Sequence, residues 1–419
     1  VLRYLTAGES HGKALVVIIE GLPSGLPITV DQIGNELARR RLGFGRGPRM
    51  KFETDEITIL AGVRHGVTLG SPVAIEIGNS EWERKWTEEM SPHPGQTSQK
   101  LTTPRPGHAD LTGMQKYDFD DARNILERAS ARETAARVAA GAVAKALLSH
   151  IGTEVGSHVI QLGSVRASVA LRPAAGEFRP VDDSEVRCLD PEAEKAMVAE
   201  IKAAQKAGDS LGGVVEVVAH GVPIGLGSHV HWDRKLDGLM AQALLSIQAV
   251  KGVEIGDGFD VAGRRGSQAH DPIVWDAEHS LYRRTSANAG GIEGGMSTGE
   301  VLVAHVAMKP LATLNTPVLA TVDTATKEAG VSFRERTDVT AVPAMGVVAE
   351  AMAALVLAGE ALRKFGGDSL REFLRNHDTF VQQVREQTAQ IDTTVPVANS
   401  PLNWDAEQAF AEGADAPAS

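Results

Sequence analysis

Four clusters in the 419-residue chain hold residue types that could do chemistry. The first, Gly8-Glu9-Ser10-His11-Gly12, sets a histidine among small residues, which suits a structural turn or a proton carrier equally. The second runs from Arg39, Arg40 and Arg41 past Gly43 and Gly45 to Arg46, Arg49 and Lys51. Basic residues suit the C-terminus of a helix. Arg46, Arg49 and Lys51 stand beyond it, on a loop whose glycines would let guanidinium groups close on phosphate or carboxylate. The third opens with Arg105, His108, Asp110 and Lys116 and ends at Arg128-Ala129-Ser130-Ala131-Arg132-Glu133. Ser130 and Glu133 have capping-box spacing, so two arginines would flank the free amides of a helix start, a ready anion site. The fourth is split: glycine-rich residues 288–299, then Lys309-Pro310, then Arg334, Arg336 and Asp338. Glycines beside Ser and Thr could wrap a flat ligand with backbone amides, or form a flexible loop. Together the clusters offer arginines for a small multiply charged anion, two loop histidines for proton traffic and glycine walls for a cofactor.

These clusters need elements to position them. Residues 14–19, 57–60, 73–77, 214–219 and 301–308 read as strands. Thr29 is a good N-cap for a helix over 30–41 with Ile33 and Leu37 on one face. Further helices are expected over 130–150, 193–207 closed by Gly208, 236–250, and 342–365 stopped by Gly366-Gly367. The helices at 130–148 and 342–365 are so rich in Ala, Val, Gly and Met that they should pack closely and centrally. Residues 80–103 suggest a surface loop or lid. Strands and helices interleave without steady βα alternation. Residues 1–375 are taken as one catalytic domain and 376–419 as a polar, partly disordered tail.

Composition narrows the classes. A net charge of −12 argues against a nucleic-acid or acidic-membrane surface and makes local arginine clusters more telling. One cysteine excludes an intrachain disulfide framework. No apolar run reaches the ~20 residues of a membrane span, and no basic-then-apolar leader is visible, so a cytoplasmic protein without membrane partners is expected. Three look-alike motifs are set aside. Gly8–Lys13 has three intervening residues where a P-loop has four, and it precedes its strand. Gly-Asp-Ser-Leu, at 208–211 and 367–370, would belong to a serine hydrolase, but both copies follow helix ends and no triad partners stand out. His229, His231 and Asp233 lack a fourth ligand, so no metal is expected.

The strings GESHGKAL, RRRLGFGRGPRMK, RPGHAD, ERASARETAARVAAG, GDSLGG, SIQAVKGVEIGDGF and NAGGIEGGMSTG, followed by KP and RTD, occur in an order that resembles the chorismate synthase family over residues 1–365. The resemblance implies an α+β fold, a β-α-β sandwich with central helices between antiparallel sheets, and a homotetramer. It implies a lyase that converts 5-enolpyruvylshikimate 3-phosphate to chorismate by 1,4-anti elimination of phosphate. Reduced FMN is required without net redox change, and NADPH would act only as an indirect reductant. By motif, His11 would protonate the departing phosphate, and His108 would stabilise the anionic reduced flavin as an imidazolium. Asp338 would act as base toward the flavin and so relay the C6 proton. The resemblance assigns flavin contacts to Arg128, Ala129, Ser130, Gln248, Ala249, Gly294, Lys309, Pro310, Leu311, Ala312, Thr313 and Arg336. Ser10, Arg40, Arg46, Arg49, Arg105 and Arg132 are its candidates for substrate, with Arg40 and Arg46 also assigned to NADP. The chain shows no separate flavin reductase domain, so the enzyme would borrow its reduced flavin.

Overall fold

The computed structural model describes residues 2–46, 55–95, 97, 99–168, 171–332 and 337–389. Two antiparallel sheets carry most of the strand content. In the first, β1 (Arg3–Ala7), β2 (Ala14–Glu20), β3 (Glu56–Ala61) and β4 (Val73–Gly78) lie in the order β1-β2-β4-β3. Strict alternation buries Leu15, Val17 and Ile19 of β2 and Val73, Ile75 and Ile77 of β4 on one face. In the second sheet, β5 (Glu154–Leu162), β6 (Val165–Arg166), β7 (Gly213–His220), β8 (Val250–Ile255) and β9 (Leu302–Met308) take the order β8-β9-β7-β5-β6.

Helix α1 (Val30–Arg40) starts where the Thr29 hydroxyl accepts from the Gln32 amide and the Gln32 side chain returns to the Thr29 amide. Its Ile33 and Leu37 are buried as their spacing requires. Two short helices that sequence periodicity did not reveal, α2 (Asp110–Tyr117) and α3 (Arg123–Ala129), precede α4 (Thr134–Ser149). The expected capping box at Ser130 does not form. Ser130 Oγ accepts from the Arg132 amide over a single 3-10 turn, and Glu133 turns instead to Thr6, Arg137 and Gln248. Tertiary partners outcompete the local one, and the α-helix begins four residues late. Helix α5 (Pro191–Ala207) ends on Gly208 as expected. Helix α6 (Leu236–Leu245) stops short of 250 because Ala249 takes a left-handed φ of 67° and Val250 enters β8.

The centre is α7 (Val342–Phe365), which packs on α4 and on strands β5 and β7, while α4 also meets β2 and β4. A Cβ at Gly141 of α4 would lie 2.3 Å from the Ala351 Cβ, so the two helices touch backbone to backbone there. Length and composition alone would let α7 cross a membrane, but it is buried inside the fold. Its Glu350 is fully buried between Arg39, Lys145 and Arg187, with contacts of 2.7, 2.6 and 2.9 Å. Burial pushes this carboxyl up, yet the three cations outweigh it and hold it well below the usual range. Arg39, its side chain 18% exposed, is therefore held by this ion-pair network. Helix α8 (Leu370–Ala389) continues through residue 375, with Phe373 buried and Phe380 packed on the core, so the segment after 375 is helical at least to 389.

Candidate functional site

The β1–β2 connection, the end of α1 and its following loop, the 105–134 segment, the turn after α6 and the β9–α7 connection meet around one cleft. Two adjoining cavities form it, and both are lined by Ser10, Ser130, Ala131, Gln248, Met308, Leu311 and Ala341. His11, Arg105, His108, Ala129, Ala249, Lys309, Pro310 and Ala312 line one end. Arg40, Arg46, Arg132 and Asp338 line the other.

Backbone geometry explains how the short loops get there. Gly8 has a φ of 100°, and a Cβ on it would lie 2.3 Å from the Ala14 carbonyl oxygen, so only glycine turns the chain from β1 toward His11. The glycines before Arg46 let this loop pack closely on its neighbours. A Cβ at Gly43 would strike Pro343, and one at Gly45 would strike Ile201. This tight seat places the Arg46 Nε 3.2 Å from an Asp338 carboxylate oxygen. Arg40 is 6% exposed and donates to Thr134 Oγ1 and the Ala131 carbonyl, each at 3.0 Å. Arg132 is anchored by Asp55 at 2.6 Å and Asn79 at 3.1 Å. Arg105 grips Asp110 through two nitrogens at 2.8 and 3.1 Å.

At the other end His108 Nε2 meets Thr313 Oγ1 at 3.2 Å, and Lys309 donates to the Gly107 carbonyl at 2.5 Å. Partial burial, then the Arg105 charge and further Lys309, lower the His108 pKa below the ordinary histidine value, and the Pro106 carbonyl and Asp110 oppose this only in part. Gln248 donates to Glu133 at 3.0 Å, which turns its Oε1 away; that oxygen is buried and meets no donor. Such an orphan acceptor in a cleft wall fits a ligand that carries an N–H group.

Not every expected residue arrives. Arg128 spans back to Thr6 and the Gly8 carbonyl and lines neither cavity. Gly294 sits in the turn between strands Ile292–Glu293 and Met296–Ser297, away from the cleft lining. The glycine run there serves close backbone packing: Cβ atoms at Gly290 and Gly291 would strike Gly256 and Val301. It builds no wall of this cleft. Arg49, Lys51, Arg334 and Arg336 lie outside the described residues. Ser210 of the first Gly-Asp-Ser-Leu string is buried and donates to the Leu311 carbonyl, a structural bond. His231 pairs with Asp233 on the surface.

Two residues went unnoticed in the sequence. Glu127 of α3 places its carboxylate 2.9 and 3.0 Å from His11 Nδ1. Trp86, from the 80–103 stretch, stacks on the His11 ring with centroids 4.0 Å apart and planes 24° apart. The Arg123–Glu127 spacing of four on α3 was the one local signal available.

A family model described as "Chorismate synthase" matches residues 2–362. A curated relative from Streptomyces avermitilis, named "Chorismate synthase", is 57% identical over 392 residues, covering 91% of this chain and 98% of the relative. One of the same name from Salinispora tropica is 59% identical over 385 residues, covering 90% and 97%. A solved structure, "Crystal Structure of Chorismate Synthase", superposes with a TM-score of 0.73 at 42% identity, covering 92% of this chain and 98% of that one.

Proposed function

The chain belongs to the chorismate synthase family, and from that premise we propose that the cleft is where 5-enolpyruvylshikimate 3-phosphate loses phosphate to give chorismate. The observation that carries the assignment is convergence: His11, His108, Asp338, Arg40 and Arg46, from distant segments, border one continuous cleft. Arg40 and Arg46 supply fixed positive charge for the substrate's phosphate and carboxylates, with Arg105 and Arg132 as flanking cations. His11 gives a proton to the phosphate as the C3–O bond breaks. Asp338 is the final acceptor of the proton lost from C6, and its ion pair with Arg46 ties acceptor and anion site together.

The Gln248 Oε1 orphan, the Lys309–Ala312 backbone and Ala129–Ser130 would hold reduced FMN. When bound, this cofactor supplies an electron-rich ring that assists phosphate departure without net redox change. His108, beside Lys309 and Thr313, is placed to carry a positive charge against an anionic ring. Arg128 then acts indirectly, by clamping the β1–β2 turn that carries Ser10 and His11.

The layering of the two sheets about α4 and α7 supports a β-α-β sandwich for the family fold, and the protein is read as a cytoplasmic homotetramer. The outer face of the first sheet carries Leu5, Ile18 and Leu60 exposed, an apolar row suited to a second copy of the chain. The decisive experiment is an anaerobic assay with dithionite-reduced FMN and the enolpyruvyl substrate, monitoring chorismate. No product under these conditions sinks the assignment.

A further inference from the structure

We propose that Glu127 is a positioning residue for His11: its carboxylate, accepting from Nδ1 with Trp86 stacked on the ring, fixes the orientation and tautomer from which Nε2 serves the departing phosphate. The proposal rests on the reading of His11 as proton donor to the departing phosphate. In that step a proton passes from Nε2 to a phosphate oxygen as the C3–O bond breaks, leaving a neutral ring with its Nδ1–H still on Glu127.

The geometry is specific. The Glu127 side chain is 2% exposed, and Oε2 accepts the His11 backbone N–H at 2.9 Å while both oxygens lie within 3.0 Å of Nδ1. The Glu127 carbonyl also accepts the Ser10 N–H at 3.0 Å. One residue of α3 thus grips the Ser10–His11 segment by main chain and side chain. An ionised carboxylate only accepts, so Nδ1 must carry a hydrogen, and a second proton on the ring sits on Nε2. Burial pushes the Glu127 carboxyl up, but His11 and Arg123 outweigh it and hold it below the ordinary range. Trp86 covers one face of the imidazole, and an aromatic face favours a cation.

The surrounding charges balance in this direction. Arg123 donates to Glu127 Oε1 at 3.0 Å and also lies over Trp86, with Glu89 at 3.6 Å from its Nε. Lys85 lies over the same indole. Glu9 lies beside Gly12, and His108, Lys309 and Arg105, the last paired with Asp110, line the same end of the cleft. Glu127 contacts the imidazole directly, at 2.9 and 3.0 Å.

Glu127→Gln keeps the shape and removes the charge. The expected result is a turnover about 10²-fold lower near neutral pH, within the range of acid–base groups, with substrate KM little changed. A second readout needs no turnover: in the resting enzyme with 15N-labelled histidine, His11 carries its hydrogen on Nδ1, and Glu127→Gln and Glu127→Ala loosen that tautomer, because the carboxylate that only accepts is gone. An unchanged His11 tautomer in both variants overturns the proposal whatever the activity. A changed tautomer with wild-type turnover upholds the positioning and removes His11 as the proton donor.

Discussion

His108 shows how a single residue's environment sets what a ligand must do. Partial burial, Arg105 and Lys309 hold its pKa below the ordinary histidine value, which favours the neutral ring before anything binds. An anionic ligand beside it raises that pKa, and binding then takes up a proton. The sign follows: affinity is highest and flat below the free-state pKa, falls tenfold per pH unit above it, and levels off past the bound-state pKa. Titrating reduced FMN anaerobically across this window should show that fall, and His108→Ala should lack it. The difference between the two profiles removes the ligand's own ionisations, and parallel profiles would take His108 away from the anion. Both His108→Ala and His11→Ala should lower turnover by about 10²–10³-fold in the anaerobic assay. At this scale the histidines, Arg40, Arg46 and Asp338 were legible because family motifs mark them. Glu127 was not, since its partner lies 116 residues away and a glutamate on a short helix looks like solvated surface.

Elements were legible where local signals agreed with tertiary packing. Thr29, Gly208 and the Gly366-Gly367 pair bound their helices as their chemistry dictates, and the small-residue runs of α4 and α7 meet at the centre. They failed where a distant partner won, as when Glu133 left Ser130 for Thr6, Arg137 and Gln248. That same defection builds the site, because it orients the Gln248 amide. Gly141 gives a test in which two effects have opposite signs. Alanine is the better helix former by about 1 kcal/mol, so propensity alone predicts that Gly141→Ala stabilises. Its Cβ would stand 2.3 Å from the Ala351 Cβ and 2.6 Å from its Cα, which only a shift of one helix can relieve. Overpacking of this kind costs about 1–3 kcal/mol. Urea unfolding should therefore show a lower midpoint, and a raised one would mean the helices separate freely.

At the scale of the whole molecule, the two sheets differ in what covers them. The inner face of the first sheet is sealed by α4, while its outer face runs apolar side chains across the strands. Leu5 stands opposite Ile18, and Ile18 opposite Ala74. Leu5 is 68% exposed, Ile18 42% and Leu60 54%, an apolar row flanked on the same face by Glu20, Glu56 and Glu76. Strand β1 also lies at the sheet edge, with hydrogen-bonding groups on one side only paired to β2. An exposed apolar row beside a sheet edge is suited to association. If copies of the chain meet there, Ile18→Arg buries a charge without a partner in each contact. The expected outcome is a smaller species by light scattering, with the circular dichroism spectrum unchanged because Ile18 points away from the core. Wild-type mass in Ile18→Arg would mean that this face does not hold the copies together. None of Leu5, Ile18 and Leu60 lines the cleft, so a separated Ile18→Arg protomer should keep its affinity for reduced FMN.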